Sequence, residues 1–174
     1  MRIFFAIRIA GDLQRELSRA QRSLQGNWRC VRADHFHVTL AFWPHLEATQ
    51  LPDLIQHGVS VARRHTPFPA LLGGTGYFPA QGSPRVWFAK LDAPELGELA
   101  GALRDYPTPP EAAAFLPHIT LARKKGPAPR PRPIYFGLGM RVRQYGLFQS
   151  KLGPTGPEYT QLAAFGLRPP KEAP

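Results

Sequence analysis

Two tetrapeptides built on one plan, His37-Val38-Thr39-Leu40 and His118-Ile119-Thr120-Leu121, lie 81 positions apart in this chain. Each runs histidine, β-branched aliphatic, threonine, leucine, and each sits in a stretch whose residues favour extended backbone. In a strand alternate side chains share a face, so histidine and threonine point one way while the aliphatic pair points into a core. Each copy therefore offers an imidazole and a hydroxyl side by side on a rigid support. A lone strand histidine is an ordinary structural feature, but two copies in matching places of a loosely duplicated chain call for a joint explanation.

The rest of the pattern supplies the setting. Residues 2–9 read as a strand and residues 11–25 as a helix, with Leu13, Leu17, Ala20 and Leu24 on one face and arginines on the other. Gly26-Asn27 marks its end. A short extended piece, 28–31, leads into the first motif strand, 36–43, which Pro44 closes. A second helix is expected over 47–65, extended segments over 68–78 and 85–91, and a third helix over 94–106 with Pro94 in its first turn. The second motif strand, 118–123, is followed by a basic Pro-rich loop and three extended segments, 134–142, 144–152 and 159–167; the chain should fray from Pro169. This order predicts an α+β fold of mostly antiparallel pairing, in two loosely pseudo-symmetric halves, rather than the regular alternation of a doubly wound sheet. A helix precedes the motif strand in each half.

At 174 residues the chain fits one domain, 1–174, or two small lobes sharing a core. No stretch approaches the run of roughly 20 apolar residues that a membrane span needs. The opening Met1-Arg2-Ile3-Phe4-Phe5-Ala6-Ile7-Arg8 is too short and too soon interrupted by charge to read as a secretory leader. A single cysteine, Cys30, excludes an internal disulfide and fits a reducing cytoplasm. The net charge of +10, from 22 Lys and Arg against 12 Asp and Glu, is compatible with a polyanionic partner and equally with a merely solubilising surface. It is densest between Arg123 and Arg132, where the loop either guides a nucleic-acid backbone or is simply solvated.

Two imidazole–hydroxyl pairs suit phosphoryl chemistry. In-line displacement at phosphorus needs a base for the incoming oxygen and an acid for the leaving one, on opposite sides, and histidine serves both because it titrates near neutrality. The hydroxyls of Thr39 and Thr120 can donate to the non-bridging oxygens, whose charge grows in the transition state. The scheme requires no metal or other cofactor and predicts a bell-shaped pH–rate profile.

The paired motif resembles the signature of the two-histidine (2H) phosphoesterase superfamily. Within it the chain is similar to the bacterial RNA 2′,3′-cyclic phosphodiesterases, long labelled 2′-5′ RNA ligases. The similarity includes the opening Arg2-Ile3-Phe4-Phe5-Ala6-Ile7, Asp34 three residues before the first motif, and Gly74-Thr75-Gly76-Tyr77-Phe78 with Pro84-Arg85-Val86. It continues through 115–123 and ends with Leu147-Phe148-Gln149-Ser150, Tyr159 and Leu162. The resemblance implies a two-lobed fold in which each lobe gives one motif strand to a central cleft. It implies opening of 2′,3′-cyclic phosphates on single-stranded RNA ends or tRNA fragments, with His37 as general acid and His118 as general base; the sequence leaves the oligomeric state open, with a monomer as the default. It further implies that Arg123 contacts the phosphate and that Phe42 stacks on the terminal base. Joining or cleaving 2′-5′ linkages, and non-catalytic RNA binding on the same fold, are the alternatives; a small cyclic-phosphate hydrolase is a third.

One geometric difficulty stands against this. Arg123 and Phe42 each lie five positions after their histidine, an odd offset, so in an unbroken strand both would face away from it. They reach the cleft only if the strand ends, bulges or twists there. Cys30 and Trp43-Pro44 depart from the family's usual residues and alter the approach to the first motif. His35 shares a face with His37, but no carboxylate or cysteine cluster accompanies the pair, so a metal site is not expected. His45, His57 and His65 are expected on the surface, and Gly73-Gly74-Thr75-Gly76 lacks the lysine and following helix of a nucleotide loop.

Overall fold

The computed structural model describes residues 1–112, 114–154 and 156–169. The run Ile3–Ile7 is apolar at every position rather than at alternate ones, the pattern of a strand covered on both faces. It forms β1 (Arg2–Arg8), and all five residues are buried. Next come α1 (Gly11–Gln21), β2 (Trp28–Cys30), β3 (His37–Trp43), α2 (Leu51–Ala62), β4 (Phe68–Phe78) and β5 (Val86–Asp92). Then follow α3 (Pro94–Arg104), β6 (His118–Lys124), β7 (Tyr135–Val142), β8 (Gln144–Gly153) and β9 (Gly156–Gly166).

The strands form one curled antiparallel sheet, ordered β7-β4-β5-β6-β3-β1-β8-β9, with β2 paired to β6. The two motif strands are its central neighbours, joined at Val38 and Ile119. The expected pair of lobes is therefore two four-strand halves of a single nine-stranded sheet, related across the β6–β3 contact, with β2 added beside β6. Val38, Leu40, Trp43, Ile119 and Leu121 face the main core, to which Leu13 and Leu17 of α1, Leu54 and Val61 of α2, and Leu96, Leu99 and Leu103 of α3 also belong. The opposite face carries a smaller apolar cluster, Phe4, Ala6 and Phe148, with Phe42 and Tyr159 packed on it. Burying a phenylalanine this fully contributes on the order of 1.5–3 kcal/mol, so this second cluster is a substantial floor for the first half.

Two helices are shorter than the pattern predicts. In place of the expected end at residue 25, α1 stops at Gln21. Ser23 donates both its backbone N–H (3.1 Å) and its hydroxyl (2.8 Å) to the Ala20 carbonyl, a local bond that competes with the helix ladder. The helix expected over 47–65 begins instead as a 3-10 turn, Ala48–Gln50, closed by a reciprocal Glu47–Gln50 capping box. Pro52 then opens α2, which ends at Ala62. The Gly73–Gly76 run lies inside β4, as its lack of phosphate-loop features required. Fraying beyond Pro169 falls outside the described residues.

Candidate active site

The face opposite the helices opens into a cleft of about 560 Å³ along the junction of the two halves. His37, Thr39, His118 and Thr120 all line it, as do Phe42 and Arg123. The last two arrive by the same device. Along β3 the register with β1 runs from Ala6 opposite Thr39 to Phe5 opposite Ala41, so Leu40 is an extra residue. Along β6 the register with β5 runs from Phe88 opposite Thr120 to Trp87 opposite Ala122, so Leu121 is the extra one. A bulge advances the alternation by one, so a side chain at an odd offset rejoins the face of its histidine. Both copies carry the bulge at their leucine. The geometric objection from the sequence is thereby answered.

A bulge frees backbone groups that need partners. The Leu121 carbonyl accepts from the Val31 N–H and from Nε2 of Gln21, each at 2.8 Å. The Leu40 carbonyl accepts from Nε of Arg104 at 3.0 Å. Gln21 and Arg104 are the last residues of α1 and α3. Each helix thus braces the motif strand of the other half. The sequence reading missed both residues; a polar side chain at a helix end gives no hint of a partner so far away in the chain.

Both imidazoles are clamped alike. Nδ1 of His37 lies 2.6 Å from the His35 carbonyl, and Nδ1 of His118 lies 2.7 Å from the Leu116 carbonyl. A carbonyl oxygen only accepts, so Nδ1 carries the proton in each ring and Nε2 is left for the cleft. Antiparallel order around Val38 and Ile119 sets Thr120 on the His37 side of that pair and His118 on the Thr39 side.

Aromatic rings back both histidines. Phe4 packs 5.2 Å from His37 and stacks on Phe148 at 5.4 Å, while Tyr159 meets His37 edge-on at 5.4 Å. On the other side Phe88 and Phe78 approach His118 at 5.2 and 4.9 Å. One ring on each side sits over a glycine: a Cβ on Gly146 would come within 2.6 Å of Phe148, which backs Phe4, and one on Gly76 within 2.7 Å of Phe88. Only glycine permits such approaches.

Burial pushes the His37 imidazole down to about 4, aided by the positive charges of His35, His118 and Arg123 and opposed by the His35 carbonyl. His118 is lowered by the same causes, burial first and Arg123 after it, against the Leu116 carbonyl. Both rings are therefore neutral at pH 7 in the open cleft. A phosphate seated beside Arg123 would cancel that residue's field and raise both.

The cleft is strongly cationic. Arg2, Arg29, Arg32, Arg104, Arg123 and Lys125 line it, against Glu111 and Glu158. Of the basic loop only Lys125 reaches it; Arg130 turns to the Gly82 carbonyl and covers the Tyr77 ring, and Lys124 bonds Ser83. Phe42 is half-buried, with the Arg2 guanidinium 5.1 Å over its ring. His35 sits in a 3-10 turn, Ala33–His35, against Tyr159 at 4.7 Å. No three His, Cys, Asp or Glu side chains among the described residues converge as metal ligands would. His57 departs from its expected place: it is half-buried, its Nε2 3.1 and 3.2 Å from the Ala102 and Leu103 carbonyls at the end of α3. No helix among the described residues is long and apolar enough to cross a membrane.

The arrangement matches known proteins along nearly its whole length. An RNA 2′,3′-cyclic phosphodiesterase of Thermus thermophilus is 41% identical over 180 residues, spanning 97% of this chain and 91% of that protein. The profile of the family described as LigT like Phosphoesterase matches residues 7–88, which hold the first motif. The chain belongs to the LigT-like phosphoesterase family. Among solved structures of similar fold, one from Thermus thermophilus superposes with a TM-score of 0.91 at 40% identity, covering 97% of this chain and 99% of that one. E. coli LigT complexed with 3′-AMP gives a TM-score of 0.80 at 25% identity, covering 95% and 97%. Family membership accounts for the curled sheet and its central cleft. The two bulges and their helix-end braces are read from the geometry of this LigT-like chain itself.

Proposed function

We propose that this chain hydrolyses the 2′,3′-cyclic phosphate at the end of a single-stranded RNA to a 2′-phosphate, with no metal ion. The observation that carries the reading is the matched presentation of two Nδ1-clamped imidazoles, each with a threonine on its face, from adjacent antiparallel strands. Water attacks phosphorus as Nε2 of His118 takes its proton. The bond from phosphorus to O3′ breaks, and Nε2 of His37 gives O3′ its proton, leaving a 3′-hydroxyl and a 2′-phosphate. Arg123, Thr39 and Thr120 hold the non-bridging oxygens, where charge accumulates. Burial first, and the charges of His35, His118 and Arg123 after it, keep His37 neutral in the open cleft; the negative charge of the bound phosphate favours its protonated form, in which it acts as the acid. Phe42, half-buried in the cleft lining, stacks on the terminal base. The name and the bound 3′-AMP of the relatives support an RNA end as substrate. All the residues given roles here come from one chain, so the proposed reaction asks for no second copy.

The test is product analysis on a synthetic oligoribonucleotide with a 2′,3′-cyclic end, with and without EDTA. Conversion to the 2′-phosphate at the same rate in both is expected. A terminus that stays cyclic, a 3′-phosphate product, or loss of turnover in EDTA would overturn the reading.

A further inference from the structure

Beyond the motif strands, the short strand β2 brings a second arginine to the cleft. Arg29 pairs directly with Arg123 across β2 and β6. Directly opposed residues of an antiparallel pair share a face, with Cβ atoms about 4.5–5.5 Å apart, and like charges so placed repel. Among the described residues the ion pairs within 4.0 Å are Arg15–Asp12, Arg19–Glu16 and Arg32–Asp34, so neither Arg29 nor Arg123 is in ion-pair contact with a carboxylate, although Glu111 and Glu158 line the same cleft. Both side chains are exposed. The Arg29 guanidinium also reaches across the mouth of the cleft toward the first half: a Cβ on Gly156, at the start of β9, would lie 3.0 Å from its nitrogen. Lys125 lines the same rim. A repelling pair with no carboxylate in ion-pair contact, lining a cleft with an excess of cations, is the arrangement that two neighbouring anions would stabilise.

We infer that Arg29, with Lys125 beside it, binds the phosphate on the 5′ side of the terminal nucleotide while Arg123 binds the cyclic one. The cleft then recognises a cyclic end as part of an oligonucleotide in preference to a free cyclic mononucleotide. This rests on the reading of the cleft as a cyclic-phosphate site and deepens it. Successive phosphates of a single strand are one nucleotide apart, a separation that two extended arginines rooted on adjacent strands can span. Arg29 contributes to affinity for the chain and takes no part in the bond-breaking step.

The experiment compares kcat/KM for a 2′,3′-cyclic mononucleotide and for a dinucleotide with the same cyclic end, in the full-length protein. The wild type is expected to prefer the dinucleotide. Arg29→Ala should lower the ratio of the two constants by about tenfold, the effect of one charge-assisted hydrogen bond, and Arg29→Lys should restore part of it. Arg123→Ala should lower both constants and leave their ratio near that of wild type. A neutral methylphosphonate at the internucleotide linkage should reproduce the Arg29→Ala ratio in the wild type and add nothing in the variant. A wild-type ratio in Arg29→Ala, or a methylphosphonate dinucleotide turned over as well as the native one, would overturn the inference. Failure of the wild type to open either substrate is a separate result, which would overturn the functional reading and this inference with it.

Discussion

The two halves of the cleft share a plan and differ at one telling position. Both motif strands bulge at their leucine, both histidines are clamped through Nδ1 by the carbonyl two residues earlier, and both are braced by the end of a helix from the other half. Where the first half then presents Phe42, the second presents Arg123. The same backbone device thus delivers an apolar ring on one side and a cation on the other, as the proposed substrate, with a base at one end and a phosphate at the other, requires. The surroundings differ as well. His37 lies deeper, against Phe4, Tyr159 and His35, and titrates near 4, whereas His118 is lowered with fewer charges around it. The two halves share a scaffold and differ in the residues set on it.

The comparison can be broken most severely at the histidines. Replacing either with alanine should cost roughly 10²–10⁴ in kcat/KM, the usual range for a positioned acid or base, if the halves are equal partners. A small loss at one site and a large loss at the other would make one histidine structural. Arg123→Ala should cost about 10² in kcat, read under saturating cyclic phosphate, because it removes a charge aimed at the developing oxyanion. Phe42→Ala should leave kcat nearly intact and raise KM for an oligonucleotide about tenfold, the effect of losing one stacked base, with Phe42→Tyr preserving it.

The braces test whether the halves depend on each other. Gln21→Leu leaves the Leu121 carbonyl with one donor fewer and should cost about 1–3 kcal/mol in urea unfolding. It should also lower kcat more than it raises KM, since it loosens the strand that carries His118. An unchanged kcat would mean that the bulge stands without its helix-end partner.

The pH profile offers the finest distinction. The proposed mechanism needs one protonated and one neutral ring; below the lower pKa it has no base and above the upper it has no acid. With His37 near 4 and His118 below its ordinary 6.5, kcat/KM should peak on the acid side of 6.5. Bound phosphate raises both rings, so the kcat profile should lie at higher pH. Arg123→Ala, by removing a charge that depresses both, should shift the kcat/KM peak upward by a fraction of a unit. A downward shift would contradict the field ascribed to Arg123.

How much of this the sequence held follows from which interactions are local. The alternation in His37–Leu40 and His118–Leu121 announced two half-buried strands with their polar residues on one face, and those strands are present. The same alternation placed Phe42 and Arg123 on the wrong side, because a bulge is a register relation with a partner strand and leaves no mark on its own residues. Gln21, Arg29 and Arg104 went unnoticed for a related reason. Their partners at Leu121, Arg123 and Leu40 are 100, 94 and 64 positions away, beyond the reach of any periodicity. His57 was assigned to the surface since a helix pattern does not reveal a neighbouring helix's open carbonyls. The early end of α1 was written in Ser23, whose short side chain can satisfy the Ala20 carbonyl by itself, but a run of leucines at helical spacing outweighed it.

The measurement closest to the central claim is a double-mutant cycle on cyclic-phosphate opening in EDTA, using wild type, His37→Ala, His118→Ala and the double variant. If the two halves act as one acid–base unit, each single variant should be about as slow as the double, because removing one partner idles the other. Losses that multiply, or one variant with nearly full activity, would contradict a paired site.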